Sequence, residues 1–125
     1  MNGHEREGSY RVAGQMSGDE SADAYRVAAH IVATWLAGGS VIRCQLNDPT
    51  ANGDWTIMFD SAALFAMKAE VERSYAPPGN PQQWMDLLAR HRRAIGSLAE
   101  HLVADGVLDF MALEIIHRQL RVYDA

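Results

Sequence analysis

The residues best suited to chemistry surround one histidine. His91 lies in the segment Ala89-Arg90-His91-Arg92-Arg93, where helical spacing puts it on an apolar stripe with the arginines at its flanks. Burial and nearby positive charge both disfavour a protonated imidazole, so this cluster could bind an anion or act as a base. We favour the simpler interpretation, a boundary histidine bonded to a backbone carbonyl among solvated arginines.

A second candidate is an aromatic pocket. Five large aromatic residues are expected to meet where a hairpin and the helices come together: Trp35, Trp55, Phe59, Phe65 and Trp84. Such residues usually fill a core, although a cavity among them would bind a small apolar ligand. The ligand-binding set predicted on this hypothesis is His91, Arg90, Arg93, Trp84 and Trp55.

Metal and nucleophile chemistry have weaker support. Glu114 and His117 are one helical turn apart, but a metal site in a bundle needs several such groups converging from different helices. The single cysteine, Cys44, falls on the inward face of a predicted strand, where a thiol is inert. We therefore predict no catalytic residue, no metal site and no cofactor.

Nucleic-acid binding is also disfavoured. The segment 98–120 can be fitted to a helix-turn-helix, but its second helix would begin with Asp109, Phe110 and Met111. The recognition helices of DNA-binding proteins usually begin with polar and basic residues. The formal net charge of −5 works against a polyanion or an anionic membrane surface. A nucleic-acid-associated regulator remains a lesser alternative.

The elements that position these residues belong to one domain. The chain has 125 residues, of which 48% are hydrophobic, enough for a core without disulfides. We expect residues 1–18 to be flexible or strand-forming, with a possible third strand at 9–14, and residues 19–125 to form a single α+β domain. Lys68 is the single lysine among eleven basic residues, and this composition is typical of a GC-rich bacterial or phage genome.

The pattern predicts an N-terminal helix, a two-stranded antiparallel hairpin and then three helices packed on the hairpin. The first helix is expected over 19–37 and ends at Gly38-Gly39, because glycine adopts a helix C-cap easily. The alternation of apolar and polar residues predicts strands at 41–46 and 55–59, with Ile42, Cys44 and Leu46 on one face of the first strand. Asp48-Pro49 and Asn52-Gly53 mark the turn between them.

Three further helices are expected at 61–74, at 81–104 and from about 109 to 122 or 123. The strongest of these runs from Pro81, with Asn80 as its cap, and carries an apolar stripe between Trp84 and Leu102. The predicted architecture depends on this stripe being one unbroken rod covered by the hairpin from Ile42 to Phe59.

A two-stranded hairpin leaves its edges open, and such edges invite pairing with another chain. We therefore expect a homodimer or a complex with another protein, through an interface that includes Val41, Arg43, Thr56 and Met58. The resulting hypothesis is a small protein-interaction or regulatory module, with a ligand-binding protein or enzyme as the alternative. The polar N-terminus and the lack of a membrane-length apolar run favour a cytoplasmic protein.

Overall fold

A computed structural model of the chain describes residues 10–36, 39–60, 86 and 89–120. The elements in these residues are β1 (Tyr10–Gly14), α1 (Glu20–Leu36), β2 (Val41–Asp48), β3 (Asp54–Phe59), α2 (Arg92–Asp105), β4 (Val107–Leu108) and α3 (Phe110–Leu120). The described part of the chain is thus an α+β fold with three helices and a four-stranded antiparallel sheet. None of its helices is both long and apolar enough to cross a membrane.

The sheet extends the predicted hairpin on both sides. Its strand order is β1-β3-β2-β4, so the hairpin of β2 and β3 lies in the middle. β1 pairs with β3 along its full length, from Tyr10 opposite Phe59 to Gly14 opposite Trp55. β4 pairs with Cys44 and Gln45 of β2. The possible third strand at 9–14 is therefore confirmed, and the expectation that the hairpin has open edges is wrong.

The hairpin turn is held by one carboxylate. Asp48 caps a short 3-10 turn (Pro49–Ala51) and accepts hydrogen bonds from the Thr50 backbone N–H at 2.9 Å and the Thr50 hydroxyl at 2.7 Å. Its other oxygen accepts from the Thr56 hydroxyl at 2.9 Å. These hydrogen bonds, first from Thr50 and then from Thr56, lower the pKa of the Asp48 carboxyl. Arg11 of β1 donates to the Thr50 hydroxyl at 3.1 Å and so ties the edge strand to the turn.

An irregularity in β2 changes which side chains face the core. The pairing with β3 shifts between Val41 and Arg43, because Val41 lies opposite Phe59 while Arg43 lies opposite Met58. The buried apolar side chains on this strand are consequently Val41, Cys44 and Leu46, with Ile42 only half-buried. The prediction that Ile42, Cys44 and Leu46 share the core face is wrong for Ile42. A bulge adds one residue to one strand, so the side chains that precede it point to the opposite face of the sheet.

The first helix begins where the sequence predicts. Asp19 caps it by accepting from the Ala22 backbone N–H at 3.2 Å, and the helix continues to Leu36, the last described residue before its expected end. Its buried side, which includes Val27, Ile31 and Trp35, packs against α2 and the sheet. α1 is therefore the central helix of the core.

The second helix differs from its prediction. It runs from Arg92 to Asp105, and His91 before it forms a turn with φ −110° and ψ 22° between helical residues on either side. The predicted start at Pro81 lies outside the described residues. The unbroken rod expected from Trp84 to Leu102 is therefore interrupted at His91. α2 also packs mainly on α1 through side chains such as Ile95 and Leu98, and only slightly on the hairpin.

Between α2 and α3 the chain forms a strand rather than a simple turn. Gly106 takes a φ of 79° at the end of α2, and its carbonyl accepts from the Leu46 backbone N–H at 2.9 Å. This contact guides β4 onto the sheet edge, so the segment 98–120 does not have the helix-turn-helix form considered above. The helix expected at 61–74, together with Phe65, Asn80, Pro81 and Trp84, lies outside the described residues.

Candidate interaction surface

α3 begins at a well-formed cap. Asp109 accepts from the Ala112 backbone N–H at 2.9 Å through its side chain, and from the Leu113 N–H at 2.9 Å through its carbonyl. Aspartate at this position satisfies backbone donors that the first turn leaves open. The helix therefore starts at Phe110, as the sequence predicts to within a residue.

One side of α3 belongs to the core. Leu113 and Ile116 are buried, and Leu120 packs partly against the same cluster. His117 lies on this side and stacks on Trp35, with the ring centroids 4.1 Å apart and the planes 1° from parallel. Burial lowers the pKa of His117, although Glu114 acts in the opposite direction. The inner side of α3 thus fixes the rotation of the helix.

The opposite side of α3 is apolar and faces water. Met111 is 68% exposed, Ile115 is 48% exposed and Phe110 is 45% exposed. Met111 and Ile115 are four residues apart, so they lie one above the other on the helix. Phe110 projects about 100° further round the helix, between this stripe and the core side. We refer to these three residues as the α3 outer face. A helix that buries one stripe and exposes a second apolar stripe departs from the usual amphipathic pattern.

A basic side chain continues this stripe of α3. Arg118 is exposed in the last turn and lies three residues after Ile115, so it is on the same side of the helix. Asp109 lies four residues before the buried Leu113, and its carboxylate caps the helix, so it does not belong to this side. The exposed stripe is therefore apolar with a basic C-terminal end.

A shallow groove runs between α1 and α2. It has a volume of about 360 Å³, is open to solvent and is lined mainly by small or apolar groups that include Tyr25, Gly96 and Val103. The described aromatic residues of the predicted pocket do not line it, because Trp35, Trp55 and Phe59 are buried in the core instead.

The predicted ligand set around His91 is dispersed. His91 is buried at 5% exposure, whereas Arg90 and Arg93 are exposed. Burial, and then the charge of Arg90, lower the pKa of His91. Its Nδ1 atom is buried and has no hydrogen-bond partner among the described residues. A neutral imidazole with an unprotonated Nδ1 fits this setting best, because an unpaired N–H is costly to bury.

Trp55 lies elsewhere in the structure. Its ring is 5.9 Å from that of His30, and its indole lies over the backbone of Gly14. Trp84 lies outside the described residues. The described groove also does not include His91. The structure therefore does not bring the aromatic and basic members of this set together in one described site.

Other reactive groups are also dispersed. Within residues 10–36, 39–60, 86 and 89–120, no three histidine, cysteine or acidic residues are grouped so that they could hold a metal ion. Burial raises the pKa of the Cys44 thiol to about 12, so the thiolate is scarce at neutral pH.

The four hairpin residues predicted for an interface divide between the two faces of the sheet. Val41 is fully buried on the core face, and Arg43 is exposed on the other. Thr56 lies on the same face as Arg43 but is only 3% exposed and donates a hydrogen bond to Asp48, and Met58 is half-buried. Arg43 is thus the only one of the four that is exposed.

Comparisons with protein families, with curated proteins and with solved structures found no match to this chain. The sequence analysis did not select Met111 or Ile115. A signal was present, since the segment Phe110-Met111-Ala112-Leu113-Glu114-Ile115-Ile116 carries more apolar residues than the single stripe through Leu113 and Ile116 requires.

Proposed function

We propose that this chain is a small protein-interaction module whose recognition surface is the α3 outer face. The observation that carries this proposal is the 68% exposure of Met111, at the centre of the helix side that points away from the core. Phe110 and Ile115 extend the apolar surface on either side of it. Large apolar groups that adjoin one another in water mark interaction sites. Covering this apolar area removes it from water, which favours association, although the lost freedom of the two partners offsets much of that gain.

The shape of this surface favours a helical partner. The face is a ridge along one helix rather than a cavity, and ridges of helices pack into the grooves of other helices. Recognition of an apolar helix side at positions i and i+4 is a common mode of protein binding. The charge of Arg118, which continues the stripe of Met111 and Ile115, would then favour an acidic side chain on the partner helix.

Partner binding through α3 does not require an open hairpin edge. β1 and β4 occupy the outer sides of the hairpin, and the hydrogen-bonding groups of β3 and much of β2 are paired within the chain. Support for partner binding therefore comes from a helix side, not from strand addition.

Site-specific photocrosslinking tests the proposal. A benzophenone amino acid in place of Met111, in the full chain expressed in its host, should give one product of discrete mass. The same amino acid in place of His101, an exposed residue of α2, is the control and should give none. The captured protein is then identified and purified, and its affinity for the full chain is measured. Met111→Glu should weaken binding at least about tenfold, because a charge would be buried against apolar surface.

The stability of Met111→Glu distinguishes lost binding from lost folding. A residue this exposed makes few core contacts, so the free energy of unfolding should change by no more than about 0.5 kcal/mol. Val103→Glu, which puts the same charge on an exposed apolar residue of α2, is the matched control and should leave binding intact. The proposal fails if positions 111 and 101 crosslink alike, or if neither gives a discrete product.

A further inference from the structure

We infer that Asn52, which precedes Gly53 in the hairpin turn, is a latent modification site that deamidates only when this turn opens. Asparagine followed by glycine is the dipeptide in which spontaneous deamidation is fastest, because glycine has no side chain to hinder the ring that forms. Asn52 is exposed, so solvent reaches its side chain. The geometry of the turn, rather than burial, is what prevents the reaction in the folded chain.

The nucleophile in this reaction is the backbone nitrogen of Gly53. After the nitrogen loses its proton to a base in the solvent, it attacks the side-chain carbonyl carbon of Asn52. A new C–N bond closes a cyclic imide, the bond to the side-chain amide nitrogen breaks, and ammonia leaves. Water then opens the imide at either of its carbonyl carbons, which gives aspartate or isoaspartate. The Gly53 nitrogen must therefore be free of other bonds and close to the Asn52 side chain.

The backbone of Asn52 keeps the two reacting atoms apart. Asn52 adopts the left-handed conformation, with φ 58° and ψ 29°. For the ring to close, the Gly53 nitrogen must lie on the same side of the Asn52 Cα–C bond as Cβ. At the observed ψ it lies on the far side, so no staggered rotamer brings the side-chain carbonyl carbon against it. Asparagine tolerates this conformation well, and the turn therefore holds it without large strain.

The Gly53 nitrogen is also occupied by a hydrogen bond. Its N–H donates to the backbone carbonyl of Asp48 at 2.8 Å and closes the turn. A backbone N–H held in this way reacts with solvent base only when the bond breaks through local opening. The Asp48 carboxylate stabilises the turn by accepting hydrogen bonds from Thr50 and Thr56. Deamidation at Asn52 thus requires the same opening that breaks these contacts.

Modification should oppose closure of the turn afterwards. In isoaspartate the chain continues through the side-chain carbon, so the backbone gains one extra atom before Gly53. The product also carries a new negative charge in a turn where Asp48 already lies opposite Asp54 on the paired strand. The reaction therefore marks copies of the chain whose hairpin has opened and destabilises the hairpin in those copies.

Peptide mapping of the full chain tests the inference. The chain is held at mildly alkaline pH, folded or in guanidinium chloride, and mass spectrometry follows the conversion of amide to acid at position 52. Conversion should be at least about tenfold slower in the folded chain. Asn2 also precedes a glycine, so in guanidinium it should convert at about the same rate as Asn52 and thereby confirm the intrinsic chemistry. Equal rates at position 52 with and without guanidinium overturn the inference.

Two variants test whether the turn contacts are what protects Asn52. Thr56→Val removes one hydrogen bond to Asp48, so conversion at position 52 of the folded chain should become about threefold faster or more. Asp54→Ala is the matched control, because it changes a residue next to Gly53 without removing that bond. Each rate is divided by the same variant's rate in guanidinium, so that effects on the chemistry itself cancel. Circular dichroism checks that both variants are folded. Unchanged protection in Thr56→Val, or a larger loss of protection in Asp54→Ala, contradicts the role of the turn.

The modified chain tests the consequence for stability. The isoaspartyl product is separated by chromatography, and its urea midpoint is compared with that of Asn52→Asp, which adds the charge without the extra backbone atom. The isoaspartyl chain should unfold at the lower urea concentration. Equal midpoints contradict the expected effect on the hairpin.

Discussion

The indole of Trp55 lies across the edge strand at Gly14. A Cβ atom added to Gly14 would overlap the Trp55 ring, so the absence of a side chain on β1 is what lets the ring lie flat against the backbone. Gly96 in α2 is in the opposite situation, because a Cβ atom there would meet nothing within 4 Å. Neither glycine has a positive φ, so the surrounding space alone distinguishes them.

The same substitution should therefore have opposite effects at these two positions. Gly96→Ala should raise the free energy of unfolding by about 0.5–1 kcal/mol, because alanine loses less conformational entropy in a helix. Gly14→Ala should lower it by about 1–3 kcal/mol, because the ring or the strand must move. Urea denaturation of both variants beside the unmodified chain measures the two changes. Equal effects at both positions would contradict the described packing of Trp55.

At this scale the sequence shows part of the arrangement. Alternation correctly puts Trp55 on the inward side of its strand. The partnership with Gly14 is not visible, because it depends on the register between β1 and β3, which are separated by some forty residues of chain. His91 is similar, since its position on an apolar stripe predicts burial but not the turn that the backbone makes there.

At the scale of elements, two aspartates four residues apart have opposite roles. Asp109 caps α3, whereas Asp105 is the last residue of α2, where the helix dipole disfavours a negative charge. Asp109→Ala should therefore lower the free energy of unfolding by about 1 kcal/mol. Asp105→Ala, the matched control, should leave it unchanged or raise it by up to about 0.5 kcal/mol. Thermal unfolding of the two variants tests this, and a reversed order would contradict the described start of α3.

The sequence predicts best those helices whose first turn is capped by a residue close to it in the sequence. α1 and α3 begin next to Asp19 and Asp109, which cap them through hydrogen bonds within three residues, and both starts are predicted to within a residue. β4 has only two residues and exists because it pairs with β2. The shift in β2 likewise depends on β3. Pairing between distant segments leaves little trace in the local pattern, and this is why these two features were not predicted.

At the scale of the molecule, three histidines together make the fold less stable in acid. Burial lowers the pKa of His30, where Arg26 adds to the effect, and also lowers the pKa of His91 and His117. In the unfolded chain each imidazole titrates near 6.5. As the pH falls through this value, the unfolded chain takes up protons that the folded chain does not, and stability decreases.

The free energy of unfolding should therefore be highest above about pH 7 and should decline as the pH falls from about 6.5 towards 5. Asp48 does not contribute to this window, because its carboxyl pKa is lowered from an ordinary value of 3.8. Urea midpoints measured between pH 7.5 and 5 should show the decline. His91→Gln should make it shallower, and His101→Gln, which changes an exposed histidine, should not. A flat profile for the unmodified chain would contradict the burial of these imidazoles.

The candidate surface shows what sequence alone misses at this scale. The hairpin residues Arg43, Thr56 and Met58 share one side of the sheet, as alternation predicts. Their accessibility, however, is set by the strands and side chains that surround them. The exposure of Met111 depends on which side of α3 the core occupies, and the stack of His117 on Trp35 fixes that choice. Exposure is a property of the assembled fold.

The order of strands also constrains how the chain can fold during synthesis. β1 and β4 flank the central hairpin but lie at positions 10–14 and 107–108, near the two ends of the described chain. As the polypeptide leaves the ribosome, the first three strands can pair early, but the outer side of β2 must wait until residues 107–108 have been translated. The nascent sheet thus has an incomplete edge between the synthesis of β3 and that of β4, which is when a chaperone or a neighbouring nascent chain would encounter it.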